Sequence, residues 1–188
     1  MERNYHYCVE RNRELIPPDT DMFRVMDGAE DGIPGVFVDQ MADRILVSTR
    51  GCSIPADLES ELRDTGLPVF HKKLEQNQKE APVQIAGPLL PLQFTALEQG
   101  VRFKIDMSAG YSQGIFLDQR DHRRRVREKS APGMRVLNTF AYTGAFSVYA
   151  ALGGAQTTTL DLAQPSAPEN DKNPSQQAAL LRFLLTQL

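Results

Sequence analysis

The sequence predicts an α/β chain: a small α+β domain of hairpins, then the opening βαβ unit of a parallel sheet. Three observations carry this. Residues 134–161 read as strand, sharp turn, helix and strand. Short strand-like runs joined by glycine-rich turns recur from Phe23 to Thr49. The 188 residues, 41% hydrophobic and 24% charged, have ordinary globular composition and enough mass for one domain or two small ones.

Taken in order, Met1–Leu15 mixes charged, aromatic and polar residues and suits a short helix ended by Pro17-Pro18. Phe23–Met26, Val36–Asp39 and Ile45–Thr49 read as strands, with Gly32-Ile33-Pro34-Gly35 as a hairpin turn. Ala56–Asp64 is a polar helix entered through Pro55. Val69–His71 and Val83–Ile85 read as edge strands flanking a solvated loop at Lys72–Ala81, and His71 as a surface or half-buried histidine without a metal or catalytic role. Phe94–Glu98 and Val101–Met107 alternate around Gln99-Gly100, which signals a hairpin. Ser108–Gly114 leads into the second domain. Leu117–Lys129 is a helix capped by Asp118.

The βαβ unit follows. Val136 and Leu137 are the apolar run of a strand buried on both faces, and Phe140–Gly144 is the turn. Ala145–Leu152 is helical, with Phe146, Val148, Tyr149 and Leu152 spaced to face a core; Gly153-Gly154 stops it. Thr157–Leu160 is the second strand, ending at Asp161. In an open parallel sheet the ligand crevice lies beyond the carboxyl ends of the strands. A helix N-terminus there favours an anionic group, and an acid at the spacing of Asp161 suits ribose hydroxyls. With one glycine in the turn, a dinucleotide is disfavoured. An ordinary βαβ unit that binds nothing has the same pattern.

The net charge of −3 and pI near 5.6 exclude a protein that is basic all over, so nucleic acid would have to meet a local patch. One concentration exists: Arg120, Arg123, Arg124, Arg125, Arg127 and Lys129 on the helix after Leu117. Arginine forks match phosphate oxygens, which makes Arg123, Arg124, Arg125 and Arg127 candidate RNA contacts. A solvated helix face explains the same run. Cys8 and Cys52 have neither metal-ligand spacing nor a disulfide framework, no metal is expected, and no apolar run is long enough for a bilayer. The polar N-terminus does not resemble a signal peptide, so the chain reads as cytoplasmic.

Three blocks carry a family resemblance. Asn138-Thr139-Phe140-Ala141-Tyr142-Thr143-Gly144-Ala145-Phe146-Ser147 resembles the first cofactor motif of class I S-adenosylmethionine-dependent methyltransferases, specifically the bacterial 23S ribosomal RNA enzymes acting on cytosine C5 or guanine N7. Gly114-Ile115-Phe116-Leu117-Asp118-Gln119-Arg120-Asp121-His122-Arg123 resembles that family's Gly-Phe-Phe-Leu-Asp-Gln-Arg-x-Asn-Arg. Asp31–Asp39 resembles part of the small domain that precedes the catalytic one.

The resemblance implies a Rossmann-like domain that binds S-adenosyl-L-methionine, with ribosomal RNA as partner; a homodimer is compatible with it. Asp161 would accept hydrogen bonds from the ribose, Phe140, Tyr142, Thr143 and Gly144 would wrap the methionine end, and Asn138, Gln119 and Arg120 would line the pocket. Ser112-Gln113 replaces the family's Lys-Thr. The expected division is 1–107 for the small domain, 108–162 for the first part of the cofactor domain, and 163–188 for a linker and terminal helix. The resemblance as read stops after Leu162. Ala163–Leu188 has no Asp-Pro-Pro motif and no cysteine nucleophile, so no catalytic residue can be named. Residues 164–174 look linker-like, and Gln176–Leu188 looks like an apolar helix. This suggests a truncated or frame-disrupted methyltransferase. The alternative is a non-catalytic remnant that binds cofactor or RNA.

Overall fold

The computed structural model describes residues 4–75 and 80–161. The expected linker and terminal helix therefore lie outside the described residues. By its contacts the chain forms two compact units, the first ending at Asp118 and the second beginning at Gln119.

The first unit is built on a five-stranded sheet in sequential order: β1 (Met22–Asp27), β2 (Val36–Met41), β3 (Arg44–Thr49), β4 (Val69–Lys73) and β5 (Val83–Ala86). Every pairing is antiparallel except β3 with β4, where α2 (Ala56–Asp64) makes the crossover. Helix α1 (Tyr5–Arg13) begins where the Asn4 side chain accepts the Tyr7 amide. Asn12 then donates to the carbonyls of Arg24 and Val25, which ties the helix to β1. Tyr5, Cys8, Val25, Val38, Ile45, Val47, Leu62 and Val69 form the buried core. Leu58 and Leu62 are the buried positions of the otherwise polar α2.

Two expectations fail on this sheet. Strand β4 lies between β3 and β5 and is no edge, whereas β5 is one, as expected. Lys72 and Lys73 belong to β4 and not to a solvated loop, and Lys72 is buried. The polar character of this stretch misled because its apolar signal is confined to Val69 and Phe70. A charged side chain could be placed inside only by knowing what lies over it.

The hairpin β6 (Gln93–Glu98) and β7 (Val101–Asp106) pairs in register around Gln99 and Gly100, both at positive φ, as a tight hairpin turn requires. Asp21 and Thr20 accept the amides of Leu97 and Gln99, which fastens the hairpin to the start of β1. Residues 107–118 group with this unit. The Asp106 amide donates to the Gln113 carbonyl, and Lys72 holds the carbonyls of Gly110 and Tyr111.

The second unit contains α3 (Arg120–Lys129), β8 (Arg135–Thr139), α4 (Ala145–Leu152) and β9 (Gln156–Leu160). The two strands are parallel, with Asn138 opposite Thr159 and Thr139 opposite Leu160. Leu117–Gln119 is a 3₁₀ turn, so α3 starts later than expected. Its N-cap position falls on Gln119, whose side chain makes no cap bond, and not on Asp118. Gly153 is required by packing: a Cβ there would stand 2.4 Å from the Arg127 carbonyl oxygen, where the ends of α3 and α4 meet. The buried face of α4 is Ala145, Ser147, Tyr149 and Ala150; Phe146, Val148 and Leu152 are only partly covered.

Candidate functional site

The parallel pairing of β8 and β9 delivers the turn after Thr139 and the acid after Leu160 to the same end of the sheet. Asp161 Oδ2 accepts the Tyr142 amide at 2.6 Å, and the Ala141 amide donates to the Leu160 carbonyl at 3.3 Å. The turn thus closes on the end of the second strand. Within it Phe140, Tyr142 and Gly144 have φ of 56°, 53° and 76°. Glycine adopts that region freely. Two bulky aromatic residues do not, and such strain concentrates at ligand sites. Neither is compensated by deep burial: Phe140 is 83% exposed and Tyr142 41%.

Below the turn a small polar seam joins strands to helix. Asn138 Nδ2 donates to Ser147 Oγ at 3.0 Å, and Ser147 Oγ lies 2.7 Å from Thr159 Oγ1. Ser147 is buried and Asn138 half-buried. The seam sets the height of α4 against both strands, and hence the position of its first turn. The amides of that first turn have no intrahelical acceptor, like those at any helix start. Sequence reasoning missed Ser147 and Thr159. A serine in the first turn of an alanine-rich helix was the only available signal.

The structure brings Asn138, Phe140, Tyr142, Thr143, Gly144 and Asp161 together at one end of the second unit. Gln119 and Arg120 sit at the start of α3, whose helix packs on α4. There Gln119 Oε1 lies 3.1 Å from His122 Nδ1.

The arginines of α3 divide. Arg123 is 2% exposed, with its guanidinium 6.0 Å from the Phe146 ring centroid. It is a packing residue between α3 and α4, so its place on a solvent-facing basic surface is corrected. A 3.6-residue period puts Arg123 on the inner stripe with Val126, and counting charges along the sequence hides that. Arg124 is held by Glu128 at 3.2 Å and by Asp121 at 3.9 Å. Arg125 and Arg127 are exposed, and no described ion pair engages them.

The donor set fits S-adenosylmethionine. A carboxylate at the end of β9 suits a ribose diol, and the start of α4 favours an anionic group. Aromatic faces suit a sulfonium or an adenine. A Cβ built on Gly144 would meet only the Thr159 methyl, at 3.9 Å, so positive φ and not lack of space is what calls for glycine there. Among the described residues no cluster of His, Cys, Asp and Glu could hold a metal ion, and no helix is long and apolar enough to cross a membrane.

Residues 78–179, more than half of the chain, match the family model for S-adenosylmethionine-dependent methyltransferases. The chain belongs to this family. The match runs past Leu162, where the resemblance was read as ending. YwbD of Bacillus subtilis, provisionally named a ribosomal RNA large subunit methyltransferase, is 35% identical over 79% of this chain and 40% of its own length. A ribosomal RNA large subunit methyltransferase of Deinococcus radiodurans is 34% identical over 82% of this chain and 41% of its own. The crystal structure of SMU.776, provisionally described as a methyltransferase and complexed with SAH, superposes with a TM-score of 0.75 at 30% identity, covering 98% of this chain and 47% of that one. The fold is Rossmann-like α/β, and the chain spans about 40% of the length of these two curated relatives.

Proposed function

We propose that the second unit grips S-adenosylmethionine for methyl transfer to ribosomal RNA, and that this chain carries the cofactor-gripping part of such an enzyme. The observation that carries the reading is the hydrogen bond from the Tyr142 amide to Asp161, which joins a strained turn to the acid of the neighbouring strand. When bound, the cofactor supplies an electrophilic methyl group on a sulfonium.

The chain's own residues bind and orient. Asp161 takes the ribose hydroxyls through its carboxylate while holding the Tyr142 amide. The Phe140–Gly144 turn wraps the methionine end, with Thr143 and the first amides of α4 toward its carboxylate. Asn138 acts from below by fixing Ser147, and Gln119 and Arg120 approach from the start of α3. The contribution of such a site is alignment of the acceptor with the methyl group and exclusion of water.

Ribosomal RNA as substrate is supported by the names of the relatives. Arg125 and Arg127, with Arg124 less available, are the proposed phosphate contacts. They position RNA without reading its sequence. A cytoplasmic location follows from that substrate, and a homodimer is compatible with it.

Calorimetry with SAH, paired with transfer of a labelled methyl group to ribosomal RNA, tests the reading. Cofactor binding with transfer supports it in full. Binding without transfer supports a cofactor-binding module instead, and loss of both defeats the assignment of the site.

A further inference from the structure

We propose that Tyr111 is a stacking platform for an unpaired base of the RNA substrate, and that Lys72 holds it ready. This rests on the RNA reading above.

The argument begins inside the first unit. Lys72 is 5% exposed, and its ammonium donates to the carbonyl oxygens of Gly110 at 2.6 Å and Tyr111 at 3.0 Å. No carboxylate pairs with it among the described residues. Burying an ammonium against two carbonyls alone is costly, and burial accordingly pushes its pKa down. A connection that had only to lead from β7 to the next helix would not need such an anchor.

The rest of the loop is equally fixed. Asp106 accepts from the Ser108 amide and from Gln93 Nε2, both at 2.8 Å, and also from the Ser108 hydroxyl. The Asp106 amide closes the base on the Gln113 carbonyl, and Gln113 Nε2 donates to the Ala109 carbonyl. Gly114 runs so close to β7 that a Cβ would stand 2.6 Å from the Lys104 carbonyl oxygen. What this rigid loop presents is one aromatic ring: Tyr111 is 75% exposed.

The surroundings select the partner. Arg102 and Lys104 alternate on the exposed face of β7, beside the strand position against which the loop is packed. An exposed aromatic ring on a loop anchored to a strand that carries two exposed cations matches single-stranded RNA, whose splayed bases stack on aromatic side chains while cations take the phosphates.

The test measures binding of a short single-stranded RNA and a duplex of equal length, both taken from large-subunit ribosomal RNA. Wild type, Tyr111→Ala, Tyr111→Phe, Tyr111→Leu, Lys72→Met and the Lys72→Met/Tyr111→Ala double variant are compared. Wild type should prefer the single strand. Tyr111→Ala should lose about 5- to 150-fold in affinity, the range expected for one stacked base. Phe should restore most of that and Leu should not. Lys72→Met should weaken binding when Tyr111 is present and cost nothing further in the double variant. SAH affinity should be the same in wild type and Tyr111→Ala.

If wild type binds RNA and Tyr111→Ala binds it equally well, the proposal fails while the RNA reading stands. If wild type binds no RNA, both fail. Loss of SAH binding in Tyr111→Ala would move the residue to the cofactor and overturn the proposal, as would rescue by Leu, which indicates a plain apolar contact. Should Lys72→Met not fold, the Tyr111 series decides alone, since an exposed side chain tolerates replacement.

Discussion

Asp161 and Tyr142 are nineteen residues apart in sequence, yet the carboxylate of one accepts the amide of the other at 2.6 Å. The parallel register makes this possible, because Thr139 opposite Leu160 brings the two chain continuations side by side. Asp161→Ala removes both the charge and the acceptor, whereas Asp161→Asn keeps an acceptor for the Tyr142 amide. A hydrogen bond to a charged group contributes about 1.5–3 kcal/mol and a neutral one about 0.5–1.5. SAH affinity should therefore fall by roughly one to two orders of magnitude in the alanine variant and by less in the asparagine variant. Melting temperature should barely move, since the pair is exposed. Titration calorimetry on the three proteins checks the order, and an alanine variant that binds like wild type removes Asp161 from the site.

Phe140 gives the opposite signature. It holds a left-handed backbone while 83% exposed, so its ring returns little packing energy for the strain. Asparagine tolerates that conformation far better than phenylalanine does. Phe140→Asn should raise stability by up to about 1 kcal/mol, the lower end of the cost of a strained residue. Cofactor affinity should fall at the same time. Urea melts beside SAH titrations give both numbers; a variant that is both weaker in binding and less stable would mean the ring packs where it sits.

The arginines of α3 separate packing from phosphate contact. Replacing Arg125 and Arg127 with alanine should leave stability within about 0.5 kcal/mol, because both are exposed surface positions. It should also lower the slope of log K against log salt by roughly 1.4–1.8 for the pair, at about 0.7–0.9 per phosphate contact. Arg123→Ala should instead destabilise the second unit through lost packing against α4, with little change in that slope. RNA affinity measured across a salt series distinguishes the two classes. An unchanged slope in the double variant would make the run a solvated face.

Much of this fold is written in local pattern. Ala56–Asp64 and Ala145–Leu152 are helices at the boundaries that pattern predicts, since Pro55 opens the first and Gly153 closes the second. The hairpin at Gln99-Gly100 needs only two residues that accept positive φ. The meeting of Asp161 with the turn was also legible, because parallel connection and strand length fix it. Residues whose role depends on what lies opposite were not legible. Lys72 looks like a solvent lysine until residues 110 and 111 cross over it, and Arg123 looks like its neighbours until α4 covers it. Ser147 gains meaning only between Asn138 and Thr159.

His71 offers a test in solution of how its pocket titrates. Its Nε2 lies 2.9 Å from Thr49 Oγ1, and it shares a cleft with Cys52, Glu59 and Lys73. Burial, and then the Lys73 cation, pull its pKa below the usual 6.5; Glu59 pulls weakly the other way. The folded state thus holds the proton less tightly than the unfolded chain does. Between 6.5 and the lowered folded value the unfolded chain binds more protons, so stability rises with pH there and falls on acidification. The slope cannot exceed about 1.4 kcal/mol per pH unit for one group. His71→Gln keeps a hydrogen-bonding partner for Thr49 and cannot titrate. Wild type should therefore lose melting temperature more steeply than this variant as pH falls below 6.5. A histidine signal titrating below 6.5 should also vanish from the variant's NMR spectrum. Parallel melting curves over that range would show that His71 titrates alike in both states and that its burial carries no linkage.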